Sequence, residues 1–269
     1  MCSLSKEKTT RVTINADDLR SEIRDKSVKV LDIRKEDDYK KGHIPGAINL
    51  PLANLLADDS PDKVLQYAQS FGIGDETPVV VYDDTFGALA SRVAWTLEYI
   101  GHEDVSLLDI TFSTWKNLGL EINGESPSLN KINHSLKLQP QILATSDYLV
   151  PAKEKGAILV DNRERLNFLE QHIPGAINIP YKMLASGQNI LRKKEDLKRL
   201  MQNRNITPDS EIITYCGSVG TLSGLGYYAL KSIGMENVKL YVRSFKEWKS
   251  LEKPIEQQKD ANYWDLSAE

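Results

Sequence analysis

The sequence predicts an α/β protein of two tandem domains, each a mostly parallel sheet covered by helices on both faces. First, the chain contains a long internal repeat, so one domain architecture occurs twice. Second, each copy alternates short apolar runs with helical patterns, an order typical of α/β sheets. Third, the apolar runs are continuous, which suits parallel strands buried on both faces. A chain of 269 residues is the right length for two such domains.

The repeat consists of two aligned blocks separated by an insertion. Residues 30–51 match residues 159–180 at an offset of 129, and both segments contain Asp-x-Arg followed by His-Ile-Pro-Gly-Ala. Residues 79–115 match residues 212–248 at an offset of 133, so the second copy carries four extra residues between the blocks. This period is far longer than that of a solenoid repeat and indicates a duplicated domain.

Hydrophobic spacing assigns the elements of each copy in order. Apolar residues at helical spacing mark one face of each predicted helix, and short β-branched or apolar runs mark each strand. In the first copy the predicted elements are a helix at Ala16–Asp25, a strand at Val28–Ile33, a helix at Pro61–Phe71, a strand at Val79–Tyr82, a helix at Ala88–Ile100 and a strand at Val105–Leu108. In the second copy the predicted strands are Ala157–Asp161, Ile212–Tyr215 and Val238–Val242.

Composition places the domain boundaries. Gly, Ser, Pro and Asn are concentrated after residue 122, where they indicate a linker. The predicted segments are a first domain at 10–125, a linker at 126–139, a second domain at 140–254 and a C-terminal tail at 255–269. The tail is polar until Tyr263 and Trp264, and its sequence leaves open whether these aromatics dock on a domain or the tail is disordered.

Composition also excludes several function classes. A net charge of −4 with both signs interspersed argues against a nucleic-acid or membrane-surface binder. No apolar stretch is long enough to span a membrane, and the first residues lack the apolar core of a secretory signal. The two cysteines, Cys2 and Cys216, predict neither a disulfide framework nor a cysteine-based zinc site. An unpaired loop cysteine is best explained by a reducing compartment, so we expect a cytoplasmic protein without a metal or cofactor.

Cys216 lies where a predicted strand ends, a loop of small residues turns and a helix begins. Backbone N–H groups without intrahelical partners converge at such a point, and with the helix dipole they stabilise an anion. A thiolate is an anion, so this setting predicts a nucleophilic sulfur. The alternative is a small buried apolar side chain, because free cysteines are often buried. The first copy has Asp83 at the aligned position, so one copy presents a thiol and the other a carboxylate.

These motifs resemble the tandem-domain sulfurtransferases of the rhodanese family over about residues 10–252. The resemblance rests on the repeated Asp-x-Arg and His-Ile-Pro-Gly-Ala, on Val-Tyr-Asp in the first copy and Tyr-Cys-Gly-Ser in the second, and on a late Trp in each. It implies an inactive first domain, marked by Asp83, and a second domain whose Cys216 takes sulfur from a donor as a persulfide. The implied donors are thiosulfate or 3-mercaptopyruvate, the implied acceptors are cyanide or a thiol, and a thioredoxin-like reductant is a further candidate partner.

The resemblance also implies roles for residues around the cysteine. The loop amides would cradle the sulfur as an oxyanion hole cradles an oxyanion. In family members that use 3-mercaptopyruvate, the loop serine works with a His and an Asp of the first domain, but the repetition of both motifs leaves a structural role open. The predicted catalytic residues are Cys216, Ser218, His43 and Asp32. The predicted substrate-binding residues are Gly217, Val219, Gly220, Thr221 and Arg243.

Two features of this region leave the donor open. The loop Cys-Gly-Ser-Val-Gly-Thr is similar to the 3-mercaptopyruvate type with Gly and Val exchanged, and it contains no Lys or Arg of the kind that suits thiosulfate. Arg243, at the end of the last predicted strand, would supply a positive charge to the pocket or would be a solvated surface arginine.

Two other functions fit parts of the pattern. Dual-specificity phosphatases share this fold, but they need an Arg six residues after the cysteine, and Leu222 stands there. A persulfide carrier that hands sulfur to a partner without turnover shares the same cysteine chemistry, so the sequence does not separate it from the enzyme.

Overall fold

The computed structural model describes residues 11–258 as two α/β domains that follow one another along the chain. Each domain has its own parallel sheet, and apolar clusters lie between these sheets and the helices that cover them. The fold class that the repeat predicts is therefore confirmed. Cys2, Tyr263 and Trp264 lie outside the described residues.

The first domain alternates strands and helices along the chain. Its elements are β1 (Thr13–Ile14), α1 (Ala16–Arg24), β2 (Lys29–Asp32), α2 (Glu36–Lys40), β3 (Ala47–Asn49), α3 (Leu52–Ala57), α4 (Pro61–Ser70), β4 (Val79–Tyr82), α5 (Ala88–Tyr99), β5 (Val105–Leu108) and α6 (Phe112–Asn117). In the part of the chain that is described, its strands form one parallel sheet in the order β1-β5-β4-β2-β3. Every residue of β4 is buried, as the unbroken Val-Val-Val-Tyr run predicts.

The second domain repeats this arrangement. Its elements are α7 (Ser146–Glu154), β6 (Ile158–Asp161), α8 (Arg165–Glu170), β7 (Ile177–Asn178), α9 (Lys194–Gln202), β8 (Ile212–Tyr215), α10 (Thr221–Ser232), β9 (Val238–Leu240) and α11 (Ser244–Ser250). Its parallel strands have the order β7-β6-β8-β9, and a single bridge between Leu143 and Leu240 stands where β1 pairs with β5 in the first domain. Cys216 follows β8, at the edge of the sheet where ligands bind in such folds.

Most of the elements that the sequence did not assign are short. The strands β1, β3 and β7 have two or three residues each, and the helices α2 and α3 have five and six. Segments of this length hold too few residues for a hydrophobic period to repeat. Most of them lie at sheet edges or in connections, so the central strands and the long helices were sufficient to define the architecture.

The predicted linker is anchored on the first domain. Ser135 donates from its N–H and from its hydroxyl to Asp75, both at 2.8 Å. Lys137 N–H donates to the carbonyl of Ile100 at 2.9 Å, directly after the end of α5. The connection therefore follows the surface of the first domain before α7 begins.

The two domains pack against each other through α5 and α10. Buried apolar residues of both helices belong to one core cluster that extends through both domains. Small residues let the helices approach closely, because a Cβ on Gly224 would lie 3.0 Å from Ser91 Oγ. Ser91 Oγ also lies 3.3 Å from the carbonyl oxygen of Thr221. The N-terminal turns of α5 and α10 therefore meet, and each of them follows the loop that bears Asp83 or Cys216.

A buried carboxyl group joins the two helices farther along. Glu98 of α5 accepts hydrogen bonds from Tyr227 Oη at 2.9 Å and from Tyr228 Oη at 2.8 Å. Burial raises the pKa of Glu98, although the two hydroxyl groups act in the opposite direction. The neutral carboxyl is therefore favoured at this interface more than in an exposed glutamate.

Glu98→Gln should change how stability depends on pH. The folded pKa is raised, so the carboxyl favours folding below its unfolded value of about 4.3, and this contribution is lost as the pH rises through the folded value. We expect the difference in unfolding free energy between variant and wild type to move in favour of the variant from acid to neutral pH, measured by urea titration. Glu103→Gln, at an exposed position, is the control, and an equal shift in both variants would contradict the assignment.

Candidate active site

Cys216 lies at the carboxyl end of β8, directly before the loop that leads into α10. Its side chain is 2% exposed. Phe245 N–H donates to the carbonyl of Cys216 at 3.1 Å, and Lys246 N–H donates to the carbonyl of Gly217 at 2.9 Å. The first turn of α11 therefore holds the start of the loop in place.

Ser244 is a neighbour of the thiol that the sequence analysis missed. Its backbone φ of +57° lies in the left-handed region, which is unfavourable for a residue with a side chain. Its Oγ accepts from Cys216 N–H at 3.1 Å and lies 2.9 Å from the carbonyl of Tyr241 and 3.7 Å from Cys216 Sγ. A hydroxyl has one proton, so a sulfur anion at Cys216 would compete with Tyr241 for it.

The order Val219-Gly220 matches the backbone of the loop. Gly220 has a φ of +77°, in the region that favours glycine, and forms the N-cap of α10. A Cβ at this position would also lie 3.3 Å from Arg92 Cδ and 3.4 Å from Val242 Cα. The equivalent Gly87 has a φ of +83° at the start of α5, so both copies of the repeat turn at the same point.

The equivalent loop of the first domain encloses the carboxylate of Asp83. One oxygen accepts from the N–H groups of Thr85 at 2.9 Å and Gly87 at 2.8 Å. The other accepts from the N–H groups of Leu89 at 2.7 Å and Ala90 at 2.9 Å and from Thr85 Oγ1 at 3.0 Å. This loop and helix start therefore form an anion-binding nest, and Asp83 itself fills it.

The repeat predicts an equivalent nest in the second domain. At the offset of 133 the four donating amides correspond to those of Ser218, Gly220, Leu222 and Ser223. In aspartate the carboxylate oxygens are bonded to Cγ, and in cysteine Sγ takes the place of Cγ. The oxygens of Asp83 therefore mark, in the first domain, the place that an atom bonded to Cys216 Sγ would take in the second.

Two guanidinium groups flank the thiol, one from each domain. Arg163 donates to both carboxylate oxygens of Asp161. Burial opposes its charge, but the hydrogen bonds and charge of Asp161 outweigh that cost and raise the pKa of Arg163, with a smaller contribution from Cys216. Arg92 comes from α5 of the first domain, and its Nε donates to the carbonyl of Val219 at 2.9 Å. Arg92 is a neighbour of the loop that was not predicted from the sequence.

Arg243 stands beside the same loop, but its guanidinium is paired. Arg243 Nη2 lies 3.0 Å from Asp59 Oδ1, and Asp59 Oδ2 lies 2.7 Å from Arg92 Nη2. One carboxylate therefore joins an arginine of each domain. A donor anion that used Arg243 would have to compete with Asp59, so the substrate-binding role of Arg243 stays a prediction.

The other predicted loop residues differ in exposure. Gly217 is exposed, whereas Ser218, Val219 and Thr221 are half-buried. Among residues 11–258, Ser218 has no partner for a side-chain hydrogen bond. Its hydroxyl is therefore available to a ligand that enters beside Cys216.

Asp32 makes its contacts inside the first domain. It is fully buried, pairs with Arg34, and accepts from Tyr82 Oη at 2.6 Å. Asp161 and Arg163 form the same pair in the second domain. Among the described residues the structure brings Asp32 into no contact with Cys216, and the repeated ion pair favours the structural alternative. Its catalytic role stays a prediction.

His43 also makes its contacts inside the first domain. Its Nδ1 lies 3.0 Å from the carbonyl of Tyr39, and its Nε2 lies 3.1 Å from the carbonyl of Glu125. His172, its equivalent in the second domain, faces the carbonyl of Phe168 at 2.7 Å through Nδ1. Each histidine stacks on the aromatic ring four residues before it. These shared contacts favour a structural turn, and a catalytic role for His43 stays a prediction.

His43→Asn tests which role is correct. If the ring only supports the turn, we expect a loss of stability of about 1–2 kcal/mol and equal, small effects on turnover of 3-mercaptopyruvate and thiosulfate. His172→Asn is the matched control at the equivalent position of the second domain. The measurement is kcat for both donors below the melting temperature of each variant. A loss confined to His43→Asn and to 3-mercaptopyruvate would establish the catalytic role instead.

Comparison with known proteins assigns the family. A family model described as rhodanese-like domain matches residues 15–118 and again residues 145–251. The chain belongs to the rhodanese family.

Individual relatives narrow the class of activity. A probable 3-mercaptopyruvate sulfurtransferase of Schizosaccharomyces pombe is 31% identical over 235 residues, covering 77% of this chain and 78% of the relative. The sulfur carrier protein TtuD of Thermus thermophilus is 26% identical over 271 residues, covering 89% of this chain and 94% of the relative. The crystal structure of SseA from Escherichia coli, a 3-mercaptopyruvate sulfotransferase, matches with a TM-score of 0.77 at 26% identity, covering 88% of this chain and 99% of that chain. The two sulfurtransferases among these relatives confirm the predicted class, an enzyme of sulfur transfer.

The described residues contain neither a metal-binding cluster nor a membrane-spanning helix. Within residues 11–258 no group of three or more His, Cys, Asp or Glu side chains is placed to hold a metal ion. None of the helices in that part of the chain combines the length and the apolar character needed to cross a membrane.

Proposed function

We propose that the protein moves the thiol sulfur of 3-mercaptopyruvate or the sulfane sulfur of thiosulfate to a thiophilic acceptor through a persulfide on Cys216. The thiolate attacks the transferable sulfur of the donor, whose bond to the rest of the donor breaks with its electron pair leaving on pyruvate enolate or sulfite. Cyanide or a thiol then attacks the outer sulfur of the persulfide and restores the thiolate. We place the reaction in the cytoplasm, where a thioredoxin-like protein would be one thiol acceptor.

The observation that carries the proposal is the filled nest of the first domain. Backbone amides of the first-domain loop that bears Asp83, called the silent loop below, donate to the carboxylate oxygens of Asp83. These oxygens lie one bond beyond the position that Sγ takes in a cysteine. The second domain has the same glycine turn and helix start but carries the shorter Cys216. The outer sulfur of a persulfide is bonded to Sγ, so it takes the place of those oxygens. The nest therefore suits a persulfide anion better than the bare thiolate.

The charges around the site favour 3-mercaptopyruvate over thiosulfate. The loop contains no cation, Arg163 is paired with Asp161, and Arg243 is paired with Asp59. Thiosulfate is a dianion and needs positive charge that is not already neutralised, whereas 3-mercaptopyruvate carries one carboxylate. The free hydroxyl of Ser218 can donate a hydrogen bond to this donor or to the enolate that leaves.

A persulfide carrier without turnover is the second candidate, and the similarity to a sulfur carrier protein favours it. The carrier and the enzyme share the first step and differ in the acceptor. The enzyme passes sulfur to a small acceptor repeatedly, whereas the carrier holds one sulfur until a protein partner removes it. Turnover with cyanide therefore separates the two.

The test is steady-state release of sulfur to cyanide from each donor, together with the mass of Cys216. We expect ping-pong kinetics and a higher kcat/KM for 3-mercaptopyruvate than for thiosulfate. Full loading of Cys216 without turnover would identify the carrier. If Cys216 is not loaded with sulfur and no turnover occurs with either donor, sulfur transfer through Cys216 is overturned.

A further inference from the structure

A buried arginine of the first domain contacts the loop of the second domain that bears Cys216. The first domain is called the silent domain below, because its own loop bears Asp83 in place of a cysteine. Arg92 lies in the second turn of α5, and its side chain is 1% exposed. Its Nε donates to the carbonyl of Val219 at 2.9 Å. The stem of the side chain packs on the same loop, because a Cβ on Gly220 would lie 3.3 Å from Arg92 Cδ.

The remaining donors of Arg92 are anchored in its own domain. Nη2 donates to Asp59 Oδ2 at 2.7 Å, and Nη1 donates to Thr96 Oγ1. Burial lowers the pKa of Arg92 to about 10, against the stabilising charge of Asp59, so the group stays cationic at neutral pH. A planar guanidinium held at both Nη atoms has a fixed orientation, and so does its Nε–H.

The carbonyl that Arg92 binds belongs to the peptide group that turns into α10. The Val219 carbonyl and the Gly220 N–H are opposite ends of one planar unit, so fixing one end fixes the other. In the silent loop the equivalent Gly87 N–H donates to Asp83 Oδ1 at 2.8 Å. The Gly220 N–H therefore corresponds to one of the four amides that face an atom bonded to Sγ. A charged group on the Val219 carbonyl polarises the peptide and strengthens this donor.

The repeat shows that this contact is one-sided. At the offset of 133 the position of Arg92 is occupied by Leu225, which is fully buried in the core cluster between the domains. A leucine cannot donate to a carbonyl, so α10 offers the silent loop no cation at the corresponding point. The guanidinium is present only toward the loop that bears the cysteine.

We infer that Arg92 is a positioning residue of the sulfur-transfer site, through which the silent domain holds the Val219–Gly220 peptide with its N–H directed at the sulfur on Cys216. Asp59 and Thr96 fix the guanidinium from behind. This inference rests on the proposed function, and it gives the silent domain a part in the reaction although its own loop carries no nucleophile.

The test replaces Arg92 by the residue at the repeat position, Arg92→Leu. Asp59 keeps Arg243 as a partner in this variant, so its carboxylate is not left unpaired. We expect kcat for sulfur transfer to fall about ten- to a hundredfold with little change in KM, below the 10²–10³-fold cost of removing an oxyanion donor itself. Guanidinium ion at a concentration that does not denature the protein should restore part of kcat in Arg92→Ala.

Val93→Ala is the matched control, because it removes buried volume from the same helix and leaves every side-chain hydrogen bond of Arg92 in place. We expect it to lower the melting temperature while kcat stays close to the wild-type value. Should Arg92→Leu not fold, Arg92→Gln gives the same comparison with a neutral side chain. A wild-type kcat in the Arg92 variants, a change in KM alone, or an equal loss of kcat in Val93→Ala would each overturn the inference.

A second readout separates this inference from the proposed function. Wild-type turnover that depends on Cys216, together with normal turnover in Arg92→Leu, would overturn the inference alone. If the wild type shows no turnover, the inference is tested by comparing the rate of Cys216 alkylation by iodoacetamide in Arg92→Leu and in the wild type. We expect slower alkylation in the variant, because a loop that has lost its orientation stabilises the thiolate less. An unchanged alkylation rate in Arg92→Leu would then overturn the inference as well.

Discussion

Cys216→Ser should abolish sulfur transfer, with kcat falling by about 10⁴-fold or more, the scale observed when a covalent nucleophile is removed. A serine hydroxyl is a far weaker nucleophile than a thiolate at neutral pH, and it forms no persulfide. The side chain is similar in size and 2% exposed, so the fold should persist. The measurement is cyanide-dependent release of sulfur from 3-mercaptopyruvate, with the melting temperature recorded for each protein.

Cys2→Ser is the control for this experiment, because Cys2 is the other cysteine of the chain. We expect it to transfer sulfur at the wild-type rate. Full activity in Cys216→Ser, or loss of activity in Cys2→Ser alone, would contradict the assignment of the nucleophile.

Asp83→Ala should destabilise the first domain by about 3 kcal/mol, since hydrogen bonds to a charged group are worth about 1.5–3 kcal/mol each and water reaches part of the opened loop. The carboxylate is 2% exposed and accepts from four backbone N–H groups and one hydroxyl. Alanine leaves those amides without an acceptor. Urea unfolding measures the loss, and Cys216, which lies in the other domain, should still transfer sulfur in the folded variant.

Asp84→Ala is the neighbouring control. Asp84 is exposed and accepts from Ser113 through its N–H and its hydroxyl, both at 2.7 Å. We expect this exposed contact to contribute less than about 1.5 kcal/mol. If Asp83→Ala and Asp84→Ala were equally stable, the loop would not be an anion nest, and the argument for a persulfide in the second copy would lose its main support.

The fold could be predicted because the same pattern of strands and helices occurs in both copies of the repeat. Central strands such as β4 and β8 are unbroken apolar runs, and the long helices α5 and α10 have several turns over which a hydrophobic face repeats. The two-residue strands β1 and β7 lack that length. They form because a neighbouring strand offers its backbone, which is information that no local pattern contains.

The site could be predicted only where its residues are close in the sequence. Cys216 and the glycine turn at Gly220 belong to one short motif, and the repeat assigned Asp83 to the equivalent place. Arg92 stands in a helix like any solvent-facing arginine, and its partner Val219 is 127 residues away. The one signal in the sequence was the exchange with Leu225 between the copies, which gains meaning only when α5 and α10 are seen to pack together.

For His43 the sequence located the residue but did not determine its role. A histidine in a recurring motif is compatible with catalysis and with a structural turn, and the sequence alone gave no reason to choose. The contacts of both His43 ring nitrogens with backbone carbonyls are properties of the folded chain. So is the equivalent contact of His172 Nδ1. Sequence motifs therefore marked the candidate loop, whereas the contacts of its supporting groups became visible only in the folded chain.

The most direct test is the mass of the Cys216 peptide after the wild-type protein has been incubated with 3-mercaptopyruvate and separated from it. The account predicts that this peptide gains the mass of one sulfur atom, that added cyanide removes it as thiocyanate, and that the peptide containing Cys2 does not change. Transfer of sulfur to cyanide while Cys216 stays unmodified, or sulfur found on Cys2 instead, would contradict a persulfide at Cys216.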